Sequence, residues 1–326
     1  PSYHASYCPI NVSRSHDHVF NDYCEPRCSG NITMSIRLEM IQVARLAPEL
    51  LGDAAGLVRS FMIKQLHDSG GFVDRKGHPD LYYTVFGLDG LQSLGALPEP
   101  SRWQPFLESK LSIEDSDFVH LCCLIRCLSI VPEKSPFRDE LLKKLLEFQC
   151  ADGGFQPEKG TAHGTAYGAF LAVGAFQDLG VNLRACQDGI LASLNNLRTP
   201  DGGWGNDTQQ RSAATNATAA VMTTLRQFGM NPDSEAVHWL ASNCHPMGGF
   251  LASPLAPVPD LLSTATALHA LSGAQYEIGE DMRERCLDFI DTLWTNVGSF
   301  HGHWHEDELD TEYTFYGLLA LGHLSV

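Results

Sequence analysis

A glycine pair followed by an aromatic residue returns along this chain at near-regular intervals, and no other feature restricts the fold as much. It stands as "GGF" at Gly70, "DGGF" at Asp152, "DGGW" at Asp201, "MGGF" at Met247 and, weakened, "VGSF" at Val297. Each copy leads through a polar loop into an apolar stretch. The stretches "DLYYTVFGLDGL" at Asp80, "DLLSTATALHAL" at Asp260 and "DTEYTFYGLLAL" at Asp310 agree position by position. A small residue follows each aspartate by seven places (Gly87, Ala267, Gly317), and a leucine follows by eleven (Leu91, Leu271, Leu321). "DFVHLCCLIRCL" at Asp117, "HGTAYGAFLAVGAF" at His163 and "TNATAAVMTTLRQFG" at Thr215 complete six copies at roughly 37–50 residue spacing, the period of a helical repeat architecture.

Amphipathic segments lie between the copies, among them "DAAGLVRSFMIKQLHD", "FRDELLKKLLEFQC", "RACQDGILASLNNL" and "MRERCLDFIDTLW". Their apolar residues recur at helical spacing with charges opposite. Each repeat therefore reads as an outer helix, a glycine turn and a charge-poor inner helix. Glycine supplies the left-handed backbone that a tight reversal needs. The aspartate is placed to cap the inner helix, a contribution of about 1 kcal/mol. The final repeat, "YTFYGLLALGHLSV", is as apolar as the others, so it is no polar end-cap of an open solenoid. The expected fold is all-α: a closed α/α toroid of about six inner and six outer helices over residues 34–326. An additional segment, "SIRLEMIQVARLAPELL", precedes the first outer helix and leaves the count open by one.

Residues 1–33 precede the repeats and carry His4, Cys8, His16, His18, Cys24 and Cys28. They read as an arm that covers the barrel or meets a partner, with a small zinc knuckle as the alternative. Five of the ten cysteines (Cys122, Cys123, Cys127, Cys186, Cys286) sit inside apolar helical runs rather than in loops. That placement suits reduced thiols and a cytoplasmic setting. The formal net charge of −17 argues against nucleic acid and anionic membranes as partners. No apolar run reaches the roughly 18–20 residues of a membrane span.

The lines "DGGFQPEKGTAHGTAYGAFLAV", "TPDGGWGNDTQQRSAATNATAAVMTTL" and "GGFVDRKGHPDLYYTVFGL" resemble the prenyltransferase β-subunit and squalene cyclase repeat superfamily, over roughly residues 53–326. The resemblance implies a toroid with a deep aromatic-lined cavity for isoprenoid chains. It also implies, for a protein prenyltransferase, a zinc held by Asp, a Cys two residues on and a His of the next repeat. At the matching positions stand Asp260, Leu262 and, after Asp310, Tyr313. A shifted register offers Asp80 and His120 but places Tyr82 where the cysteine belongs. The Asp-x-Asp-Asp string of class II cyclases does not occur.

Several groups are candidates for chemistry. Asp80, Asp117, Asp260 and Asp310 are either helix caps or catalytic acids at the cavity mouth, where neighbouring carboxylates raise one another's pKa. The stretch "FHGHWHEDELD" brings His301, His303, His305 and Asp307 close in sequence; with His120 they are candidate ligands for a divalent metal, zinc or magnesium. Arg75, Lys76, His78 and His163 are candidate contacts for a diphosphate. Tyr82, Tyr83, Tyr167 and Tyr313 are candidate wall residues that face a carbocation. The leading expectation is a prenyltransferase-type enzyme that binds an allylic diphosphate and transfers or rearranges it, with a partner subunit as an option. The alternatives are a small terpenoid cyclase with a rim aspartate as acid, and a non-catalytic barrel that binds lipid or protein.

Overall fold

The computed structural model describes residues 34–111, 116–131 and 135–326. The candidate Cys/His arm therefore lies outside the described residues. In chain order the helices are α1 (Ile36–Ala44), the single turn α2 (Pro48–Leu51), α3 (Ala55–Lys64), α4 (Leu81–Ser93), α5 (Gln104–Ser109), α6 (Phe118–Leu128) and α7 (Arg138–Leu146). They continue with α8 (Ala166–Asp178), α9 (Arg184–Asn195), α10 (Thr215–Gln227), α11 (Ser234–Ser242), α12 (Leu261–Gly273), α13 (Glu280–Leu293) and α14 (Thr311–Leu324).

The six repeat helices α4, α6, α8, α10, α12 and α14 each pack on the next, and α14 packs back on α4. The ring is closed, as the apolar final repeat implied. The amphipathic helices α3, α9, α11 and α13 pack against its outside. Closure shows at the last turn. Gly298 has φ +91°, and a Cβ there would meet the Leu57 carbonyl carbon of α3 at 2.3 Å. The final repeat thus seats on the first outer helix through a residue that must lack a side chain.

The repeated residues divide the work locally. The aromatic after each glycine turn is buried: Phe72, Phe155, Trp204, Phe250 and Phe300. Phe72 lies over Gly87, where a Cβ would come within 2.2 Å of its ring, and Phe300 lies over Gly317 in the same way at 2.5 Å. This explains the small residue seven places after the aspartate: it receives the aromatic of its own turn. A threonine four places after the aspartate locks the pair. Thr84 Oγ1 donates to the Asp80 carbonyl at 2.5 Å and accepts the Phe72 N–H at 2.9 Å. Thr264 repeats both bonds with Asp260 and Phe250.

The helix whose place the sequence left open belongs to neither ring. α1 packs against α4, α8 and α14 near the C-terminal ends of the inner helices. Its first N–H donates to Gln177 Oε1 at 3.0 Å, and a Cβ on Gly322 would strike the Val43 carbonyl at 2.1 Å. It closes one end of the barrel. The other end, where the inner helices begin, carries the glycine turns and polar loops. No helix among the described residues is long and apolar enough to cross a membrane.

Candidate active site

A cavity of about 260 Å³ runs along the barrel axis. That is near the lower end of ligand-pocket sizes, roughly 300–1,000 Å³. Tyr82, Phe86, Tyr167, Phe170 and Tyr316 line it from three of the inner helices. Leu171, Leu262 and Leu319 add apolar wall. Ile36, Arg37 and Met40 of α1 form the floor. Tyr167, 40% exposed, also lines a shallower rim pocket, so the cavity opens beside it.

The floor holds buried charge. Asp89, only 1% exposed, accepts from Arg37 Nε at 2.9 Å and from Arg126 Nε at 2.8 Å. Arg37 also donates to Gln92 Oε1 at 2.5 Å. Two guanidinium groups thus share one carboxylate. Asp178, the last residue of α8, lines the cavity beside them. Its side chain is half-buried. Burial pushes its carboxyl up to about 7; Arg126 and Arg37 pull it down, Asp89 repels its charge, and Ser129 is a hydrogen-bond partner. Around the same floor Glu39 of α1 pairs with Arg226 and accepts from Gln227 Nε2 at 3.2 Å. His269 Nδ1 meets His323 Nε2 at 3.1 Å; burial pushes both imidazoles down, His323 to about 4, so the pair is neutral. The Cys122 and Cys123 thiols also line the cavity, and burial pushes both up, Cys123 to about 12. They stay protonated and are poor nucleophiles.

At the mouth Tyr82 Oη donates to Glu312 Oε1 at 2.5 Å. Burial pushes Glu312 up to about 7, against that hydrogen bond.

The prenyltransferase alpha-alpha toroid domain matches residues 49–135, 106–228 and 214–325. The chain belongs to that family. No curated protein sequence matches it. Among solved structures it is similar to the type II terpene cyclase MstE from Scytonema, at 13% identity, covering 85% of this chain and 97% of the other, with a TM-score of 0.57. A variant of that cyclase in complex with its substrate, geranylgeranyl dihydroxybenzoate, gives a TM-score of 0.56 at 12% identity over 89% and 98% of the two chains. An unsaturated glucuronyl hydrolase specific for heparin reaches 0.50 at 13% identity over 88% and 96%. At these identities the likeness is one of fold.

Within this toroid family member the four rim aspartates are caps. Asp80 accepts from the Tyr82 and Tyr83 amides, Asp117 from His120, Asp260 from Ser263 and Asp310 from Tyr313. None of the four lines the cavity. Burial would raise the Asp80 carboxyl, but the His120 hydrogen bond and the helix amides outweigh it and hold it low. Asp310, 2% exposed, is ion-paired with Arg75 at 2.9 Å.

The expected metal ligands do not converge. Among the described residues no three His, Cys, Asp or Glu side chains form a group fit for an ion. His120 has Asp117 on Nδ1 at 2.7 Å and Asp80 on Nε2 at 3.1 Å, so the carboxylates lie on opposite sides of the ring. The hydrogen bond to Asp80, opposed by burial and helped by Asp117, raises this imidazolium to about 9. His303 Nδ1 accepts the His305 backbone N–H at 3.1 Å, and His305 and Asp307 are exposed. A zinc of the protein-prenyltransferase kind does not fit either: Leu262 presents an apolar wall where a thiolate is needed.

The expected diphosphate contacts are dispersed. Arg75 spends its guanidinium on Asp310 and Glu306 and lies 5.5 Å from the Tyr313 ring centre. Lys76 and His78 are exposed, and His163 stands 3.5 Å from Asp152 at the rim pocket. Of the candidate tyrosines, Tyr82 and Tyr167 line the cavity; Tyr83 and Tyr313 do not. Asp178, Glu312 and Arg126 escaped the sequence reading. Their signal was present: they are rare charges on otherwise charge-poor inner helices.

Proposed function

We propose that this chain carries out proton-initiated cyclisation or isomerisation of an isoprenoid in its central cavity, with Asp178 as the proton donor. One observation carries the reading: a carboxyl that burial pushes up to about 7 lines an aromatic-walled cavity at its closed end. Such a group combines correct protonation with acid strength at working pH. The Asp178 O–H proton adds to a carbon of a C=C bond, whose π electrons form the new C–H bond and leave a carbocation. Arg126 steadies the carboxylate left behind. The faces of Tyr82, Phe86, Tyr167, Phe170 and Tyr316 stabilise the cation by up to about 2 kcal/mol each when desolvated. The apolar wall excludes water that would otherwise quench it.

Membership of the toroid family and the likeness to a terpene cyclase support an isoprenoid substrate. Transfer from a diphosphate has less footing, because the rim cations are dispersed or already ion-paired. The test is incubation with geraniol, farnesol, geranylgeraniol, their diphosphates and geranylgeranyl dihydroxybenzoate. The expected product is a cyclic or shifted isomer of unchanged mass, formed without diphosphate release and lost in Asp178→Asn. Diphosphate release, or no product from any of these, overturns the assignment.

A further inference from the structure

Protonation starts such a reaction, but a carbocation must also end it, and the two events belong at different places. All inner helices begin at the same rim, so depth can be read from position. Asp178 is the last of the 13 residues of α8, whereas Tyr82 and Glu312 are each the second residue of their helices. Eleven residues of helical rise separate the two levels, about 16 Å along the axis. A cation that advances through successive double bonds moves away from the acid, toward the mouth. The wall presents the polar side chains of Tyr82, Tyr167 and Asn216 at that level, and the Tyr82 hydroxyl is bonded to the buried Glu312 carboxyl. The Tyr82 ring packs edge-on against Phe86 and Tyr83, with centroids 5.0 and 5.6 Å apart, which fixes the hydroxyl.

We propose, resting on the assignment of Asp178 as acid, that Tyr82 and Glu312 form the terminal proton relay of the reaction. A C–H bond next to the cationic carbon breaks and its electron pair becomes the new C=C bond. The proton goes to the Tyr82 oxygen while the phenol's own proton passes to Glu312 Oε1 along the 2.5 Å hydrogen bond. No oxidant or further reactant is needed. Burial makes Glu312 a stronger proton acceptor than an ordinary glutamate, and a tyrosinate never has to form in a site that disfavours it. Glu312 then releases the proton toward the rim, where Asp310, Arg75 and Glu306 lie. The relay also dictates where the product alkene sits: at the carbon nearest Tyr82.

Product analysis of the full chain, wild type beside Tyr82→Phe, Glu312→Gln and Asp178→Asn, tests this with the same alcohols. Tyr82→Phe and Glu312→Gln keep the starting acid, so substrate is still consumed. In both, the share of the wild-type alkene falls by about a hundredfold, the lower end of what a positioned base contributes, and isomeric alkenes or water-quenched alcohols replace it. Glu312→Gln retains the Tyr82 hydrogen bond and removes only the proton acceptor, so a packing defect in Tyr82→Phe does not confuse the result. If wild type and both variants give the same product mixture while Asp178→Asn is dead, the relay is overturned and the acid stands. If wild type consumes nothing, the acid assignment fails and the relay falls with it.

Discussion

Replacing Asp178 by asparagine should abolish turnover and, above neutrality, make the protein more stable relative to its behaviour in acid. Burial moves this carboxyl from an ordinary value near 3.8 to about 7. A carboxyl with a raised native pKa favours the fold in acid, because the native state binds its proton more tightly than the unfolded chain does. That contribution is full below the unfolded value and disappears as pH rises through the native one. At pH 5 it amounts to about 3 kcal/mol, and at pH 8 both states are ionised and it is close to zero. Asparagine keeps the shape and titrates in neither state. The difference in unfolding free energy between Asp178→Asn and wild type should therefore shift by about 3 kcal/mol in favour of the variant between pH 5 and pH 8. Glu312 titrates in the same range but is present in both proteins, so its effect cancels. Urea unfolding at the two pH values measures the quantity. A difference that stays constant within about 0.5 kcal/mol, the error of such extrapolations, would refute the claim that the fold holds Asp178 protonated.

Asp89→Asn should destabilise the protein by about 3–5 kcal/mol, the cost of leaving two buried guanidinium groups short of their shared carboxylate, as read by urea unfolding. It should also let Arg126 turn its full attraction on Asp178 and move the basic limb of the pH–rate profile down by about one unit; an unmoved limb contradicts the coupling. Gly87→Ala should cost about 1–3 kcal/mol, because the added methyl meets the Phe72 ring in a packed core; a thermal melt unchanged from wild type would mean the small residue has another purpose. The stabilising effect of His120, compared with His120→Asn, should be complete below about pH 6.5 and fade as pH rises through about 9, since its imidazolium is the form that bridges Asp80 and Asp117. Unfolding at pH 6 and pH 10 checks that direction.

The barrel was legible because every element of the repeat acts locally. Gly70, Phe72, Asp80, Thr84 and Gly87 settle one turn among themselves, within the span of a single repeat. A reader of the sequence sees all the parties at once. The same property drew the reading of function to the rim. Aspartates at matching positions drew notice as a set, yet they match because each caps its own helix. The charges that set the cavity's character are joined only through the closed ring and through α1: Arg37 with Asp89, 52 residues apart, and Glu39 with Arg226, 187 apart. No spacing rule foretells such pairs. Tyr82 and Glu312 meet for a related reason, because the first repeat and the last become neighbours only when the ring closes. What was readable was the scarcity of charge on the inner helices, against which Asp89, Arg126, Asp178 and Glu312 stand out.

The short helix across the barrel end separates two design problems that most enclosed sites must solve together. The walls are bound by the repeat: each turn has an aromatic, a threonine and a small residue in register, and a change in one disturbs its neighbours. The stopper has no such register. Ile36 and Met40 set how deep the vessel is, and they belong to a segment that obeys no repeat. Evolution or an engineer can therefore lengthen or shorten the chamber by trading side chains on one nine-residue helix, leaving the staves untouched.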